Sequence, residues 1–581
     1  MTGGPPPFAL RDYALLADGE RGVLIGPRGE MTWMCFPTWD SPSVFSALLG
    51  GDGHYQVTPD DDRFVWGGYY DEGSLIWNSR WVTTDAVIEC REALAFPTHP
   101  SRACILRRVK AVRGRAHVIV RLSPAADYGR RPMSGVTREG GVWSATTGPV
   151  HLRWQAGAGV RRDRNGGLTL RLDLAEGETH DLVLRLSTTS GEDDELRSAK
   201  ELWTTTEEMW HHAVPPMEGL PAQRDAAHAY AIMRGLTTAT GAMVAAATMA
   251  LPERAEAGRN YDYRYAWIRD QSFAGQAAAV VSGAEFLLDA AVRFVAGRLH
   301  ADGTDLRPAY RTSGDVVPDE TDLPHLRGYP GGEVRAGNRA NQQFQLDALG
   351  ESLLLLAAAA RADRVDHEHW KAAEIAVEAV AARWEQPDAG IWELEDRWWT
   401  HSRLTCVAGL RHIATCTGGA QAGRWTALAD AIAAETARTC VHPGGRWQRA
   451  PDDARVDAAL LLPVLRRAVS GDDPRTTATM AVIEDELCQD GYIYRYRHDD
   501  RPLQDAEGAF SLCGFALALA YHELGQPERA IAWFERNRAS CGPPGLLTEE
   551  FDVGERQLRG NIPQAFVHAL LLECAARLGE R

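Results

Sequence analysis

The sequence predicts a multidomain β + α protein: an N-terminal antiparallel β-sandwich over residues 1–205, a linker at 206–221, and a C-terminal (α/α)6 barrel over 222–581. Three observations carry this reading. His117–Leu122, Leu168–Leu174 and Leu182–Leu186 alternate apolar with polar residues between turns rich in Gly, Asp and Pro, which is the period of half-buried strands in a sandwich. Beyond residue 221, twelve segments repeat their apolar residues at helical spacing. One of them, Leu353–Ala360, is apolar all round, as in a helix covered on both sides. Helices alternating between an inner and an outer ring satisfy that requirement, and no repeating sequence period points to a solenoid instead.

In chain order, the stretch 201–221 interrupts the strand pattern with Trp, Thr and Pro and reads as the connection. The helical segments lie near 222–239, 269–282, 284–300, 342–362, 368–385, 403–415, 420–440, 455–468, 475–487, 508–524, 526–540 and 563–578. Between them, 301–341, 386–402, 488–507 and 541–562 are long connections rich in Gly, aromatic and charged residues, where function concentrates in a compact domain.

With 581 residues and a net charge of −17, the chain is long enough for two to four domains and lacks the basic footprint of a nucleic-acid or anionic-membrane binder. A neutral small-molecule partner fits better. The ten cysteines are scattered, without a C-x-x-C pair or a Cys/His cluster at zinc spacing, so buried reduced thiols and neither metal nor cofactor are expected. The N-terminus shows no secretory signal and no run reaches the ~18 apolar residues of a membrane span, so the chain reads as cytoplasmic.

Candidate chemistry sits in the long connections. Glu393 ends Gly-Ile-Trp-Glu, and Glu549 is the first of two adjacent glutamates in Gly-Leu-Leu-Thr-Glu-Glu-Phe-Asp. Glycine turns and the neighbours Trp392 and Phe551 describe buried loop ends, and two carboxylates across one pocket are what acid–base cleavage of a glycosidic bond requires. Glu395 is an alternative to Glu393, since alternate residues of an extended loop share a face, and Glu550 is an alternative to Glu549. The third constellation, Arg259–Asp270, packs three tyrosines, one Trp, three arginines and two aspartates into twelve residues. Asp270 can accept from sugar hydroxyls, Arg269 can donate to them, and Trp267 can supply a stacking wall.

These motifs, in this order, resemble glycoside hydrolase family 15, which holds the glucoamylases and bacterial trehalase-like α-glucosidases. The resemblance runs from Arg11-Asp-Tyr-Ala-Leu-Leu and Trp33–Phe45 through Tyr263–Asp270, Gly328-Tyr-Pro-Gly, Gly337-Asn, Gln345–Glu351, Gly390–Glu393 and Glu507-Gly-Ala-Phe510 to Glu549-Glu-Phe-Asp and Gly560–Phe566. It implies an inverting exo-acting α-glucosidase that releases β-glucose from a disaccharide or short oligosaccharide. Glu393 is then the general acid, kept protonated by Glu395, Asp396 and the Trp392 ring, and Glu549 is the general base. Arg269 and Asp270 hold the non-reducing glucose, Tyr263 lies near the developing positive charge, Trp392 belongs to the substrate pocket, and Arg495 matches a sugar-contacting arginine. Arg403 and Tyr261 depart from the family's commoner Lys and Trp and are expected near the acceptor side. An inverting disaccharide phosphorylase and a catalytically silent sugar-binding protein are the alternatives; both glutamates being present argues against each.

Overall fold

The computed structural model describes residues 7–190, 197–254, 259–330, 332–498 and 501–579. The N-terminal part is built on two eight-stranded antiparallel sheets. In the first, Ala116–Ser123 lies between His54–Pro59 and Leu168–Leu174; in the second, Thr179–Ser187 lies between Val150–Gln155 and Arg102–Arg113. The alternation legible in the sequence is the packing: Val118, Val120, Leu122, Leu170 and Leu172 meet Leu182, Leu184, Leu186, Ile105 and Val109 in one buried layer, while His117 and Arg121 face outward.

The stretch 201–221 does not run on as an extended connection. Helix α1 (Ala199–Ala213) covers its first half, opened by a capping box at Ser198 and Glu201 and pinned by the buried Trp203 and Trp210.

The remaining helices are α2 (Gln223–Leu236), α3 (Ile268–Ala279), α4 (Glu285–Asp302), α5 (Leu346–Arg361), α6 (His367–Arg383), α7 (Thr400–Thr415), α8 (Gly419–Thr439), α9 (Leu462–Leu465), α10 (Pro474–Leu487), the single turn α11 (Leu503–Ala506), α12 (Ser511–Glu523), α13 (Pro527–Arg538) and α14 (Ala565–Gly579). Helices α3, α5, α7, α9, α12 and α14 each pack on the next, and α14 returns to α3, closing an inner ring. Around it α2, α4, α6, α8, α10 and α13 form the outer ring. Residues 346–357 of α5 are all buried, as its all-apolar stretch requires, and only its last turn reaches the surface, whereas α8 buries only four residues. Inner helix α9 is shorter than the periodicity at 455–468 predicts. A 3-10 turn at Ala458–Leu461 leads into one α-turn with Pro463 in it, and Arg467 then turns left-handed at φ 57° and ends the helix.

Sandwich and barrel share one continuous hydrophobic cluster in which Leu15, Trp33 and Trp39 pack with α2 and its neighbours. The sandwich also props the loop before α3. The buried Arg264 donates to the carbonyl of Ser41 at 2.7 Å and to the Tyr128 hydroxyl at 3.1 Å, and forks onto Asp262. Among the described residues no helix is long and apolar enough to cross a membrane.

Candidate active site

The inner helices begin at one mouth of the barrel, and the loops feeding their first turns enclose a cavity of about 840 Å³. Trp267 precedes α3, Phe510 precedes α12 and Gln564 precedes α14, so several of the lining residues sit at helix starts. All eight residues singled out in the sequence line this cavity: Glu393, Glu549, Tyr263, Trp267, Arg269, Asp270, Trp392 and Arg495.

Glu393 is presented by the loop between α6 and α7. Asp388 organises that loop: it is fully buried, accepts from the Gly390 N–H at 2.9 Å and from Ser402 at 2.9 Å, and pairs with Arg403. Gly390 has φ +66°, and a Cβ there would stand 2.7 Å from the Trp399 ring, so glycine is required on both counts. Glu393 itself is left-handed, φ 54°. Its Oε1 accepts from Trp267 Nε1 at 2.8 Å and Gln345 Nε2 at 3.2 Å, with Arg269 Nη2 at 3.5 Å, and its side chain keeps 27% exposure toward the cavity. Trp392 donates to Asp457 at 3.2 Å and meets Phe510 edge to face.

Glu395 takes no part. It is largely exposed and paired with Arg397 at 3.0 Å, because the turn at Glu393 breaks the extended register on which its alternation rested.

Glu549 enters the same cavity from the segment before Glu550–Asp552, fixed through its carbonyl by the Ser511 N–H at 2.9 Å. Its Oε2 accepts from the Tyr263 hydroxyl at 3.0 Å. Burial pushes its pKa up to about 8, reinforced by the charge of Glu253 and opposed by Arg495 and the Tyr263 hydrogen bond. Strand pleating turns the next residue away: Glu550 accepts from the Gly508 N–H at 2.8 Å and from Arg495 Nη2 at 3.1 Å, behind the cavity wall.

Arg269 is bound by Gln345 Oε1 at 2.7 Å and Asp347 at 3.0 Å. Asp270, in the first turn of α3, is buried with Oδ1 unpartnered, and burial lifts its pKa to about 7, with Arg269 opposing and Glu393 adding to the rise. Such an acceptor suits a ligand hydroxyl.

Arg495 reaches the cavity but its Nη2 is engaged by Glu507 at 2.6 Å, Glu550 at 3.1 Å and Glu253 at 3.5 Å. Of the two sequence departures, Tyr261 lines the cavity, 6.3 Å from the Tyr263 ring and nearly parallel to it. Arg403 does not line it; that side chain is buried against Asp388 and the Trp384 and Gln386 carbonyls.

Sequence reasoning missed Glu253, Asn338, Arg339, Phe510 and Phe566 as lining residues. Asn338, Phe510 and Phe566 sit inside quoted motifs, so the signal was there. Glu253 carried none: it lies in the long connection between α2 and α3, whose Ala- and Pro-bearing sequence resembles any loop.

The profile describing "Glycosyl hydrolases family 15" matches residues 226–576, and one described as "Trehalase-like, N-terminal" matches 3–210. The trehalase of Mycolicibacterium smegmatis is 32% identical over 626 residues, covering 99% of this chain and 91% of its own, and that of Mycobacterium tuberculosis is 33% identical, covering 99% and 90%. A bacterial glucoamylase solved with acarbose shares the fold, with a TM-score of 0.73, 14% identity, and 99% of this chain and 96% of that one covered. Sandwich, closed double ring and carboxylate-lined mouth thus agree with sequence similarity along the whole chain, which belongs to glycosyl hydrolase family 15.

Proposed function

We propose that this glycoside hydrolase cleaves α,α-trehalose, or a close α-glucoside, with inversion at the attacked carbon. The observation that carries the reading is that Glu393 and Glu549, from loops 156 positions apart, open onto one cavity, each steadied by an aromatic donor of the Tyr263–Trp267 segment. Glu393, the more exposed of the two, is the proton donor to the glycosidic oxygen. Glu549, once ionised, takes a proton from the attacking water; a carboxylate whose pKa is lifted to about 8 is a stronger base than an ordinary one, and its ionised fraction grows as pH rises toward that value. Arg269 and the free Oδ1 of Asp270 hold hydroxyls of the terminal glucose, and Tyr263 and Trp267 wall its reactive face. Inverting sites separate their carboxyls by roughly 6.5–9.5 Å, leaving room for the water.

Similarity to trehalases over nearly the full length supports trehalose as the substrate. An inverting phosphorylase needs a phosphate pocket in place of the base and its water, and here Glu549 occupies that position while Glu253, Glu507 and Glu550 engage the guanidinium groups of Arg495 and Arg259.

The test is early-time proton NMR with α,α-trehalose, maltose and isomaltose. Inversion of trehalose yields α- and β-glucose in equal initial amounts, because the leaving glucose keeps its configuration. Only α-glucose at early times overturns the mechanism, and turnover of maltose alone overturns the substrate.

A further inference from the structure

Beside Glu549 lies a buried cluster of charge that the acid–base reading does not use. Glu253, Glu507 and Glu550 close around Arg495, whose Nη2 stands 2.6 Å from Glu507, 3.1 Å from Glu550 and 3.5 Å from Glu253. Arg259 adds a second guanidinium, 2.8 Å from Glu507 and 4.0 Å from Glu253. The three acidic side chains are 4% exposed or less. Glu549 feels the charges of both Glu253 and Arg495, so four carboxyls face two permanent cations. A buried site relieves such an imbalance by keeping a proton.

The contacts locate that proton. Glu253 and Glu550 are hydrogen-bonded carboxyl to carboxyl, a contact that two ionised groups cannot make, since neither has a hydrogen to donate. Glu507 is not the holder. Burial opposes its charge, but Arg495, His498 at 3.0 Å and Arg259 outweigh burial and hold its pKa at about 2. Burial and then the charge of Glu253 push Glu550 well above the usual carboxylate range, with Arg495 opposing. Glu253 is raised by burial too, yet both guanidiniums favour its ionised form and it accepts the bond from Glu550. Tyr494 also faces Glu550, and Tyr261 and Tyr263 face Glu253; burial raises all three phenols, so none adds a charge near neutrality.

We propose that Glu550 keeps its proton at neutral pH and donates it to Glu253, so that one negative charge, and not two, stands beside the base. Glu253 and Glu507 then balance Arg259 and Arg495, and Glu549 ionises next to a neutral cluster. Glu253 and Glu550 act through Glu549 and are positioning residues for its proton transfer. That role rests on Glu549 as the base, whereas the place of the proton does not.

Infrared difference spectra of the full chain near neutral pH test the proton directly, through the carbonyl stretch of a protonated carboxyl group. Glu550→Gln should lose one such band because the acid is gone. Glu253→Gln should lose the same band, because Glu550 ionises once its acidic neighbour is neutral. The pH–rate profile then reads the coupling to the base. The acidic limb of kcat/KM should move by less than about 0.5 unit in either single variant, since one negative charge survives in each, and to lower pH by about 1 unit or more in the double variant, where none survives. Retention of the band in either single variant overturns the proposal, as does a limb in Glu550→Gln alone that moves as far as in the double variant. Loss of the band with an unmoved limb in the double variant upholds the proton and removes Glu549 as the base.

Discussion

Tyr263 and Trp267 meet edge to face, ring centroids 5.6 Å apart at 74°, and each donates a hydrogen bond to a different glutamate. Five consecutive residues therefore set the positions of two carboxylates that reach the cavity from different loops. Arg264, between them, is locked onto Asp262 and the sandwich, so the N-terminal sheets take part in aligning the cavity.

Removing the first of these donors tests its role. In Tyr263→Phe, Glu549 loses a bond that favours its ionised form, so its pKa rises further. The expected result is a fall in kcat/KM of about 10- to 100-fold near neutrality, the scale of a hydrogen bond to a charged group. The acidic limb of the pH–rate profile should move to higher pH, and an unmoved limb would separate Tyr263 from the base.

Glu549→Gln bears on stability as well as turnover. The carboxyl holds its proton in the fold up to about pH 8, whereas in the unfolded chain it ionises near pH ~4.3. Its contribution to stability is thus complete below pH ~4.3, declines as pH rises through the interval, and is gone above about 8. Gln escapes that decline. The variant should match the parent in thermal unfolding at pH 4.5 and exceed it at pH 9 by ~2 °C or more, while turnover drops by roughly 10²–10⁴-fold. Parallel melting curves at every pH would mean that the site does not hold the proton.

Arg403 and Asp388 form a buried pair that braces the loop of Glu393. Arg403→Met leaves Asp388 buried without its cation, so the carboxyl, already lifted to about 6 by burial, is pushed up further, with an expected loss of about 3–5 kcal/mol in urea unfolding and a lower kcat. Adding Asp388→Asn should restore part of the stability. No recovery in the double variant would show that the cost lies in packing.

Asp270→Asn keeps the shape but exchanges an acceptor for a donor-bearing amide at the unpartnered Oδ1. Steady-state kinetics should show kcat/KM down by about 10²-fold with the fold intact by circular dichroism. Near-parental kinetics would remove Asp270 from sugar binding.

Much of this was legible in the sequence because period and burial coincide. Leu168–Leu174 alternates and is buried alternately, and the all-apolar face of Leu353–Ala360 is the mark of an inner-ring helix. The long connections at 301–341, 386–402, 488–507 and 541–562 each send a side chain into the cavity: Asn338, Glu393, Arg495 and Glu549. What was not legible depends on backbone direction. A left-handed residue at position 393 points Glu395 to solvent, and the pleat at 549–550 separates adjacent glutamates. Likewise Ala199–Ala213 reads as an interruption because its Thr, Trp and His residues are indifferent helix formers, and tertiary packing of Trp203 and Trp210 decides the matter.

The left-handed backbone of Glu393 has an evolutionary corollary. A side chain with a Cβ sits in that region at a penalty of roughly 1–2 kcal/mol, which glycine does not incur and asparagine feels less. Selection for heat resistance alone, blind to turnover, should therefore discard this glutamate early, and Glu393→Gly or Glu393→Asn should recur among hardy, inactive descendants. The residue proposed as the proton donor thus occupies a backbone position that folding alone would sooner give to glycine.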